Sequence, residues 1–442
     1  MSELNNKYKR VLVIAGHNLS GNTSDDITLR SYFEQWPRED IIIITPTYTD
    51  QPFATTVFLH SKLFERAKRY AQKIFLTKQK GIDTRNVVPG AIINEQNNHL
   101  SLKNRIFAIG AAYADSIQFN LSIDTIKVID NFKPEVIYTV MGGIRLIKLA
   151  NQLSQKYNIP IVPHFMDDWI SSIYTGSIWL QVPRQVLLHS LNRLLIRSKV
   201  GLGISAKMCN EYENKFHKKF YPLMNTINLE YFTNNKKTPK NEVDKLVFTY
   251  LGGLHVNRWQ SLLMLSDILN SLSQSLGILL ILEIYTSQEH INKFAHKFDN
   301  SKVILKKAIN HQAAILKMIQ TDFLVHVESF DDSVIKFTRL SISTKIPEYL
   351  ASGTPIIAIG PSNIASMEYL INNECGYIGT SLDFNELKSI VMAAIKGENN
   401  NFYKENNFKL VKENHSSNQL KLLYNILINS KRTDNVYKQE KQ

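Results

Sequence analysis

Short apolar runs alternate with longer amphipathic stretches through the first half of the chain. The runs occupy residues 10–15, 40–45, 135–140 and 159–165, and stretches with apolar residues at helical spacing lie between them. Strands that are apolar throughout are typical of parallel sheets covered by helices on both faces. The pattern therefore predicts βαβ units in a doubly wound, Rossmann-like α/β fold.

The second half of the chain repeats this alternation. Its predicted strands are residues 246–251, 278–286, 321–327 and 355–359. A polar, charged segment without apolar periodicity, residues 233–245, separates the halves and is typical of a domain boundary. At 442 residues the chain is also long for a single core. We therefore expect two domains, residues 1–232 and 246–410, and a terminal helix over residues 411–430.

Residues 343–360 predict a loop, a helix, a tight turn and a buried strand in one short stretch. Pro347 suits the first turn of a helix, and the Ser-Gly pair that follows the helix suits a left-handed C-cap. Glu348 then lies in the first helical turn, just after the hydroxyl of Thr344 and the ammonium of Lys345. A carboxylate there can bind a ribose diol while its neighbours bind phosphate. Alternatively, Glu348 only complements the helix dipole and Lys345 is a solvated charge.

Two other strand ends carry candidate site residues. Gly16 opens a loop that is either a ligand cradle or a simple turn, and Asn22 stands where a P-loop needs lysine, which disfavours an NTPase. His164, Asp167 and Asp168 lie at the end of a later strand, where open sheets bind ligands. Either aspartate can orient an acceptor hydroxyl or act as a base. Equally, the aspartates can cap the next helix and the histidine can be structural.

Composition and charge limit the function classes. Hydrophobic residues make up 44% of the chain, which argues against disorder, and the formal net charge of +13 favours nucleotides, nucleic acid or an acidic membrane surface as partners. Cys209 and Cys375 lie far apart, which argues against a disulfide framework or a zinc site. The sequence shows neither a signal peptide nor an apolar run that could span a bilayer. We therefore expect a cytoplasmic protein.

Two predicted amphipathic helices are strongly basic. Residues 58–80 and 179–199 carry several lysines and arginines outside their apolar faces. Such helices can lie on an anionic bilayer, as a peripheral protein at the inner face of a membrane would require. They can equally pack on a core and present a solvated charged face.

Residues 343–360 resemble the nucleotide-sugar site of GT-B glycosyltransferases, in particular the large retaining group called group one or family four. The resemblance spans nearly the whole chain and is strongest over residues 200–225 and 322–376. It implies two Rossmann-like domains facing a cleft, an acceptor-side domain first and a nucleotide-sugar-binding domain second. It also implies that the helix at residues 411–430 crosses back to the first domain, and that the anomeric configuration is retained.

The resemblance assigns roles to several residues at strand ends. Arg258 matches a family lysine that holds the donor diphosphate. Gly253 replaces the family's arginine, which makes Lys345 the second expected diphosphate ligand. His164 matches a histidine that lies close to the transferring sugar.

The family's paired glutamates are matched in part. Glu348 corresponds to the glutamate that binds the ribose, and Glu328 corresponds to the first of the pair. Glu328 precedes Glu348 by twenty residues, farther than in the family, so residues 331–342 are predicted to form a lengthened loop. The predicted site has three catalytic and seven donor-binding candidates: His164, Asp167 and Asp168, and Gly16, Gly253, Arg258, Glu328, Thr344, Lys345 and Glu348.

The predicted function is transfer of a hexose-type sugar from a nucleotide-diphosphate sugar to a glycan or lipid-linked acceptor, in bacterial surface polysaccharide or glycolipid synthesis. The nucleotide sugar is a substrate, and no cofactor is expected. No Asp-x-Asp sequence occurs in the chain, so a metal-independent mechanism is expected. A nucleotide-sugar epimerase of the same fold is an alternative. A basic nucleic-acid-binding protein is another, although no RNA-binding or helix-turn-helix motif is present.

Overall fold

The computed structural model describes residues 8–16, 24–45, 53–58, 102–117, 121–235, 244–298, 302–415 and 417–431. The chain divides into two compact units, Met1–Leu223 with Lys421–Gln442, and Met224–Leu420. Each unit contains a parallel sheet with helices along the chain between its strands. The predicted α/β class is therefore confirmed. Most of the predicted boundary segment, residues 236–243, lies outside the described residues.

The described part of the first unit contains a seven-stranded sheet in the order β3-β2-β1-β4-β5-β6-β7, and all its neighbouring strands are parallel. Its strands are β1 (Val11–Ile14), β2 (Ile41–Thr45), β3 (Thr55–Phe58), β4 (Val136–Val140), β5 (Ile161–Phe165), β6 (Gly201–Gly203) and β7 (Phe220–Pro222). The side chains of β1, β2 and β4 are all buried, which explains their continuous apolar runs.

Helices connect the strands of the first unit. They are α1 (Ser24–Phe33), α2 (Leu102–Ser116), α3 (Ile123–Phe132), α4 (Ile144–Tyr157), α5 (Trp169–Ser172), α6 (Gln181–Ile196) and α7 (Ala206–Phe216). Short 3-10 turns lie at Arg38–Asp40 and Ile178–Leu180. The basic helix expected at residues 179–199 is thus present as α6, whereas residues 59–80 of the other lie outside the described residues.

The described part of the second unit contains a six-stranded sheet in the order β10-β9-β8-β11-β12-β13, again with parallel neighbours throughout. Its strands are β8 (Lys245–Leu251), β9 (Leu279–Thr286), β10 (Val303–Lys307), β11 (Phe323–Val327), β12 (Ile356–Ile359) and β13 (Tyr377–Gly379). Its core is aliphatic and aromatic, with Phe248 stacked on Phe323 at 4.7 Å between ring centroids.

The helices of the second unit cover this sheet. They are α8 (Leu229–Thr233), α9 (Arg258–Leu276), α10 (Gln288–Phe294), α11 (His311–Gln320), α12 (Asp332–Thr338), α13 (Ile346–Ser352), α14 (Ala365–Asn372), α15 (Phe384–Lys396) and α16 (Asn400–Asn414), with a 3-10 turn at Ala295–Lys297. None of the helices among the described residues is long and apolar enough to cross a membrane.

The last helix, α17 (Ser417–Asn429), belongs to the first unit from Lys421 onwards. Its Tyr424 ring meets the Trp36 ring edge-on, with 4.8 Å between the centroids. The ammonium of Lys9 donates to the carbonyl of Ser430 at 2.6 Å. Aromatic packing and a hydrogen bond to a charged group therefore fix the end of the described chain on the first unit.

The prediction of a lengthened loop over residues 331–342 was wrong, because α12 lies within it. The Asp331 side chain caps this helix by accepting a hydrogen bond from the Ser333 backbone N–H at 2.9 Å. Val334 and Thr338, one helical turn apart, are buried on its inner face. An N-cap aspartate followed by buried positions at helical spacing was a readable signal for this helix.

Candidate functional site

The order of strands reverses between β8 and β11 in the second unit, where both neighbours are parallel. Open parallel sheets bind ligands outside the carboxyl ends of their strands at such a switch point. Two loops leave the sheet here, residues 252–257 after β8 and residues 328–331 after β11. The Asn257 side-chain amide donates to Asp331 Oδ2 at 3.0 Å and so ties one loop to the other.

Arg258 and Glu328 form a buried ion pair across this switch point. Nε and Nη2 of Arg258 donate to Glu328 Oε2 at 3.2 and 3.0 Å, and Nη2 also lies 3.3 Å from Oε1. The side chains are only 21% and 3% exposed. Ser261, one turn along α9, donates its hydroxyl to the Glu328 carbonyl at 2.7 Å. The first helical residue of α9 is therefore fixed to the end of β11 by charge-assisted hydrogen bonds.

Both members of the pair are charged at neutral pH. Burial alone would raise the pKa of Glu328, but the Arg258 charge and the nearby His326 lower it to about 2. Burial alone would likewise lower the pKa of Arg258, and the Glu328 carboxylate outweighs this effect and raises it. The switch point therefore holds a fixed guanidinium whose charge is balanced by one carboxylate.

The backbone before Arg258 has an uncommon conformation. Val256 and Asn257 have φ angles of 50° and 56°, and a β-branched residue rarely adopts the left-handed region. Asn257 is the N-cap residue of α9, but its side chain makes no capping hydrogen bond. It binds Asp331 instead. The amide groups of the first turn of α9 thus receive no side-chain cap from Asn257, which suits a helix end that binds anions.

Gly253 lies in the loop after β8, half-buried. Its carbonyl accepts a hydrogen bond from the Tyr250 hydroxyl at 2.8 Å. A Cβ atom at Gly253 would lie 2.3 Å from His255 Nδ1, so a side chain here would displace that imidazole. Gly253 therefore lies in the loop that leads to Arg258, the first residue of α9, and its role in donor binding stays a prediction.

Glu348 lies in the first turn of α13, and the elements around it match the sequence prediction. Pro347 lies at the start of the helix and Gly353 ends it with a φ of 68°. The Glu348 side chain is 8% exposed, and its Oε1 lies 2.6 Å from Nε2 of His311, the first residue of α11. The sequence did not indicate this histidine, because it lies thirty-seven residues away.

Thr344 and Lys345 precede α13 and are half-buried. The Thr344 carbonyl accepts a hydrogen bond from the Asn225 side chain at 3.4 Å, and the Lys345 backbone N–H donates to the Ser343 hydroxyl at 3.4 Å. Across the described ranges, the Lys345 ammonium makes no ion pair. Lys345 is therefore a cation close to Glu348 in sequence, and no carboxylate among the described residues pairs with it.

Gly16 follows β1 in the first unit, and residues 17–23 of its loop lie outside the described residues. A Cβ atom at Gly16 would lie 2.5 Å from Cδ1 of Leu146 in α4. A side chain at Gly16 would therefore fit only if the Leu146 side chain moved. Its role in ligand binding stays a prediction.

His164 is fully buried at the end of β5. Its Nδ1 lies 2.7 Å from the Tyr138 hydroxyl on the neighbouring strand β4. Burial lowers the pKa of His164 to about 3, so the imidazole is neutral at physiological pH. The structure gives this histidine a hydrogen bond inside the unit, and its predicted contact with a sugar stays a prediction.

The two aspartates after β5 differ in their surroundings. Asp168 is fully buried and accepts hydrogen bonds from the Tyr212 hydroxyl at 2.9 Å and the Ser171 hydroxyl at 3.0 Å. It is the N-cap residue of α5, but its side chain accepts no capping hydrogen bond. Asp167 is exposed. Of the pair, Asp167 is the one that solvent, and hence a ligand, can reach; catalytic roles for both stay predictions.

The switch point of the first unit lies between β1 and β4, where α4 begins. Asp115 of α2 fills the start of α4, because its Oδ2 accepts from the Ile144 backbone N–H at 3.1 Å and from the Tyr174 hydroxyl at 2.5 Å. Arg145 Nε lies 3.4 Å from the other oxygen. The protein's own carboxylate thus occupies the position that an anionic ligand takes at an open helix end.

The described residues contain no group of three or more His, Cys, Asp or Glu side chains placed to hold a metal ion. Cys209 and Cys375 are both buried and unpaired. Burial raises the pKa of each thiol to about 12, so neither is a reactive thiolate at neutral pH. The predicted absence of a metal from the reaction stays a prediction.

No protein-family model and no curated protein matches the chain. Solved structures do match it over nearly their whole length. A sucrose-phosphate synthase from Thermosynechococcus elongatus is 12% identical, with a TM-score of 0.58 and coverage of 93% of this chain and 96% of that one. A glycosyltransferase from Rickettsia africae is 13% identical, with a TM-score of 0.56 and coverage of 96% and 100%.

A third match is Anabaena HepE, solved in complex with UDP-glucose. It is 11% identical, with a TM-score of 0.58 and coverage of 94% of this chain and 98% of that one. At identities this low, the structural similarity establishes a shared fold alone. The matches extend over both units of the chain. Together with the two parallel sheets, they show that the chain has the GT-B fold of these glycosyltransferases.

Proposed function

We propose that the chain is a glycosyltransferase that takes a sugar from a nucleotide-diphosphate sugar held by its second unit. The observation that carries this proposal is the Arg258–Glu328 pair, which fixes a cation at the first residue of α9 at the switch point. The GT-B fold supports it, as does the nucleotide sugar bound to Anabaena HepE. An anionic donor would find the guanidinium of Arg258 and a helix N-terminus here.

The cations stabilise the leaving group. As the bond between sugar and diphosphate breaks, negative charge grows on the diphosphate, and fixed donors stabilise it without rearranging. Arg258 is held in place by Glu328, and Lys345 makes no ion pair within the described ranges. We assign Arg258 and Lys345 to the diphosphate, with Gly253 and Thr344 in the loops beside them. Glu348 accepts hydrogen bonds from the ribose.

The first unit takes the acceptor. Among the described residues at its switch point, the Asp115 carboxylate already accepts a hydrogen bond from the first amide of α4. Exposed Asp167 is the proposed base or acceptor ligand, and buried His164 and Asp168 shape the end of β5 from within. We propose retention of the anomeric configuration, as the family resemblance implies. We also propose a mechanism without a metal, because the chain contains no Asp-x-Asp sequence, and without a cofactor.

We propose that the acceptor is a glycan or lipid-linked sugar in bacterial surface polysaccharide or glycolipid synthesis, met at the cytoplasmic face of a membrane. The net charge of +13 favours an anionic surface. Ile178 and Trp179, in the 3-10 turn before α6, and Val182, in the first turn of α6, are 72%, 68% and 57% exposed. Exposed apolar side chains, including a tryptophan, are typical of segments that enter a membrane interface.

Nucleotide binding and acceptor-dependent turnover test this proposal. Purified protein should be stabilised in a thermal-shift screen by one of UDP, GDP or CMP and by the matching nucleotide sugar. Release of free nucleotide should then require an acceptor extract. Glu348→Ala and Lys345→Ala should abolish transfer and keep the melting temperature within a few degrees. Conversion of the sugar without acceptor would indicate an epimerase instead, and wild-type rates in both variants would refute the site.

A further inference from the structure

His311 is in hydrogen-bond contact with Glu348, the proposed ribose ligand, and neither the sequence nor the proposed function assigns it a role. Its Nε2 lies 2.6 Å from Glu348 Oε1, and its side chain is 39% exposed, against 8% for Glu348. An ionised carboxylate can only accept hydrogen bonds, so the imidazole is the donor. A bond of this length to a charged acceptor is among the stronger hydrogen bonds in proteins.

The elements on both sides of this hydrogen bond are fixed. Asn310 caps α11 by accepting from the Ala313 backbone N–H at 2.9 Å, which sets the first turn that carries His311. The Thr354 hydroxyl, just after α13, donates to the Met318 carbonyl in α11 at 2.7 Å. Thus α11 and α13 are joined at two places, and the hydrogen bond from His311 to Glu348 is one of them.

We propose that His311 is a positioning residue for the donor's ribose. It holds Oε1 of Glu348, so that Oε2 is presented to the ribose 2′-hydroxyl in one orientation. Without the imidazole, the Glu348 carboxylate could rotate. The entropic cost of fixing its orientation would then reduce the affinity for the ribose. This inference rests on the proposed function, because it takes Glu348 as the ribose ligand.

Ribose selectivity is the measurement that isolates this role. Titration calorimetry would compare UDP with 2′-deoxy-UDP and GDP with 2′-deoxy-GDP, and the wild type should prefer the ribose form of the base that it binds. His311→Ala should weaken the ribose form about tenfold, the scale of one charge-assisted hydrogen bond, and the deoxy form less than about twofold. His311→Gln, whose amide can still donate, should keep most of the preference.

Two controls separate positioning from a structural effect. His296→Ala, at an exposed histidine elsewhere in the same unit, should change neither affinity. In a Glu348→Ala background, His311→Ala should cause no further loss of selectivity, because His311 acts only through that carboxylate. If His311→Ala does not fold, His311→Gln and the shorter His311→Asn carry the test, and only the glutamine variant should retain selectivity.

The possible failures are distinguishable. A wild type that binds no nucleoside diphosphate would overturn the proposed function and this inference with it. A wild type that prefers ribose, loses that preference in Glu348→Ala and keeps it in His311→Ala would overturn this inference alone. Equal weakening of ribose and deoxy forms in His311→Ala would also overturn it, because that result indicates a general structural role of His311.

Discussion

The two switch points of the molecule use the same groups in opposite ways. In the first unit, the carboxylate of Asp115 accepts from the amide at the start of α4, and Arg145 balances its charge. In the second unit, Arg258 is itself the first residue of α9, Glu328 balances it from the neighbouring strand, and the N-cap side chain does not bind the helix amides. The start of α4 thus receives a carboxylate of the protein. At the start of α9, the amides of Arg258 and Gln260 bond to backbone carbonyls, and this is the helix end that we propose binds an anion.

This difference separates the tasks of two units that share one topology. A doubly wound sheet offers a binding crevice at each switch point, and fold alone does not say which of the two binds a phosphate-bearing ligand. The two crevices differ in which charged side chain lies at the start of the helix. A carboxylate repels a diphosphate and a guanidinium attracts it, so we place the proposed donor site in the second unit.

The largest expected effect comes from removing the cation of the second switch point. Arg258→Ala should abolish transfer and lower the free energy of unfolding by about 3–5 kcal/mol, because Glu328 is left as a buried, uncompensated charge. Urea denaturation and nucleotide release measure the two effects. The matched double variant Arg258→Met with Glu328→Leu should regain most of the stability and stay inactive. A stable, active Arg258→Ala protein would remove the contrast between the units.

Local features of this site were predictable from sequence, and the contacts between distant segments were not. Pro347 and Gly353 define α13 by backbone preferences that hold in any context, and so the position of Glu348 could be predicted. The partners of the key charges, His311 for Glu348 and Asp115 for the start of α4, lie far away in sequence. Such pairings depend on how crossover helices pack, which periodicity does not encode.

The Arg258–Glu328 pair also combines residues that could be predicted with a contact that could not. Both residues were predicted from their match to donor-binding positions of the family, but their ion pair depends on β8 and β11 being neighbours. The order of strands in a sheet is a long-range property, so the sequence suggested two separate ligands where the structure shows a coupled pair. The helix α12 was missed for a different reason. The spacing between Glu328 and Glu348, longer than in the family, was interpreted as an extended loop, although Asp331 is a typical N-cap residue.

Acid titration should expose the charge balance at the second switch point. The pKa of Glu328 is lowered from 4.5 to about 2 in the folded state, so its stabilising contribution is complete above pH 4.5 and is lost as the pH falls through 2. The shift corresponds to about 3 kcal/mol. Wild type and Glu328→Gln should therefore differ most in unfolding free energy near neutral pH and converge towards pH 2. A difference that stays constant over this range would contradict the assignment.

Opening the first switch point is the converse experiment. Asp115→Ala removes the acceptor of the Ile144 N–H and the Tyr174 hydroxyl and the carboxylate that faces Arg145, and should cost about 1–3 kcal/mol of stability. The vacated helix end would then resemble an anion site, so inorganic phosphate should restore part of the melting temperature. Phosphate should have no such effect on Asp115→Asn, which fills the space. An Asp115→Ala protein as stable as wild type would show that the helix end is not closed by this carboxylate.

The smallest expected effect concerns the hydrogen bond that joins the two loops of the second switch point. Asn257→Gly removes the 3.0 Å bond to Asp331 and should weaken donor binding only a few-fold, the scale of one neutral-to-charged hydrogen bond. Glycine is the right replacement because residue 257 has a φ of 56°, which alanine would adopt only with added strain. Asp331→Ala should be worse than Asn257→Gly in stability, since Asp331 also caps α12. If Asn257→Gly weakened donor binding as strongly as Arg258→Ala, loop geometry would matter as much as the cation, and the contrast between a closed and an open helix end would no longer explain where the donor binds.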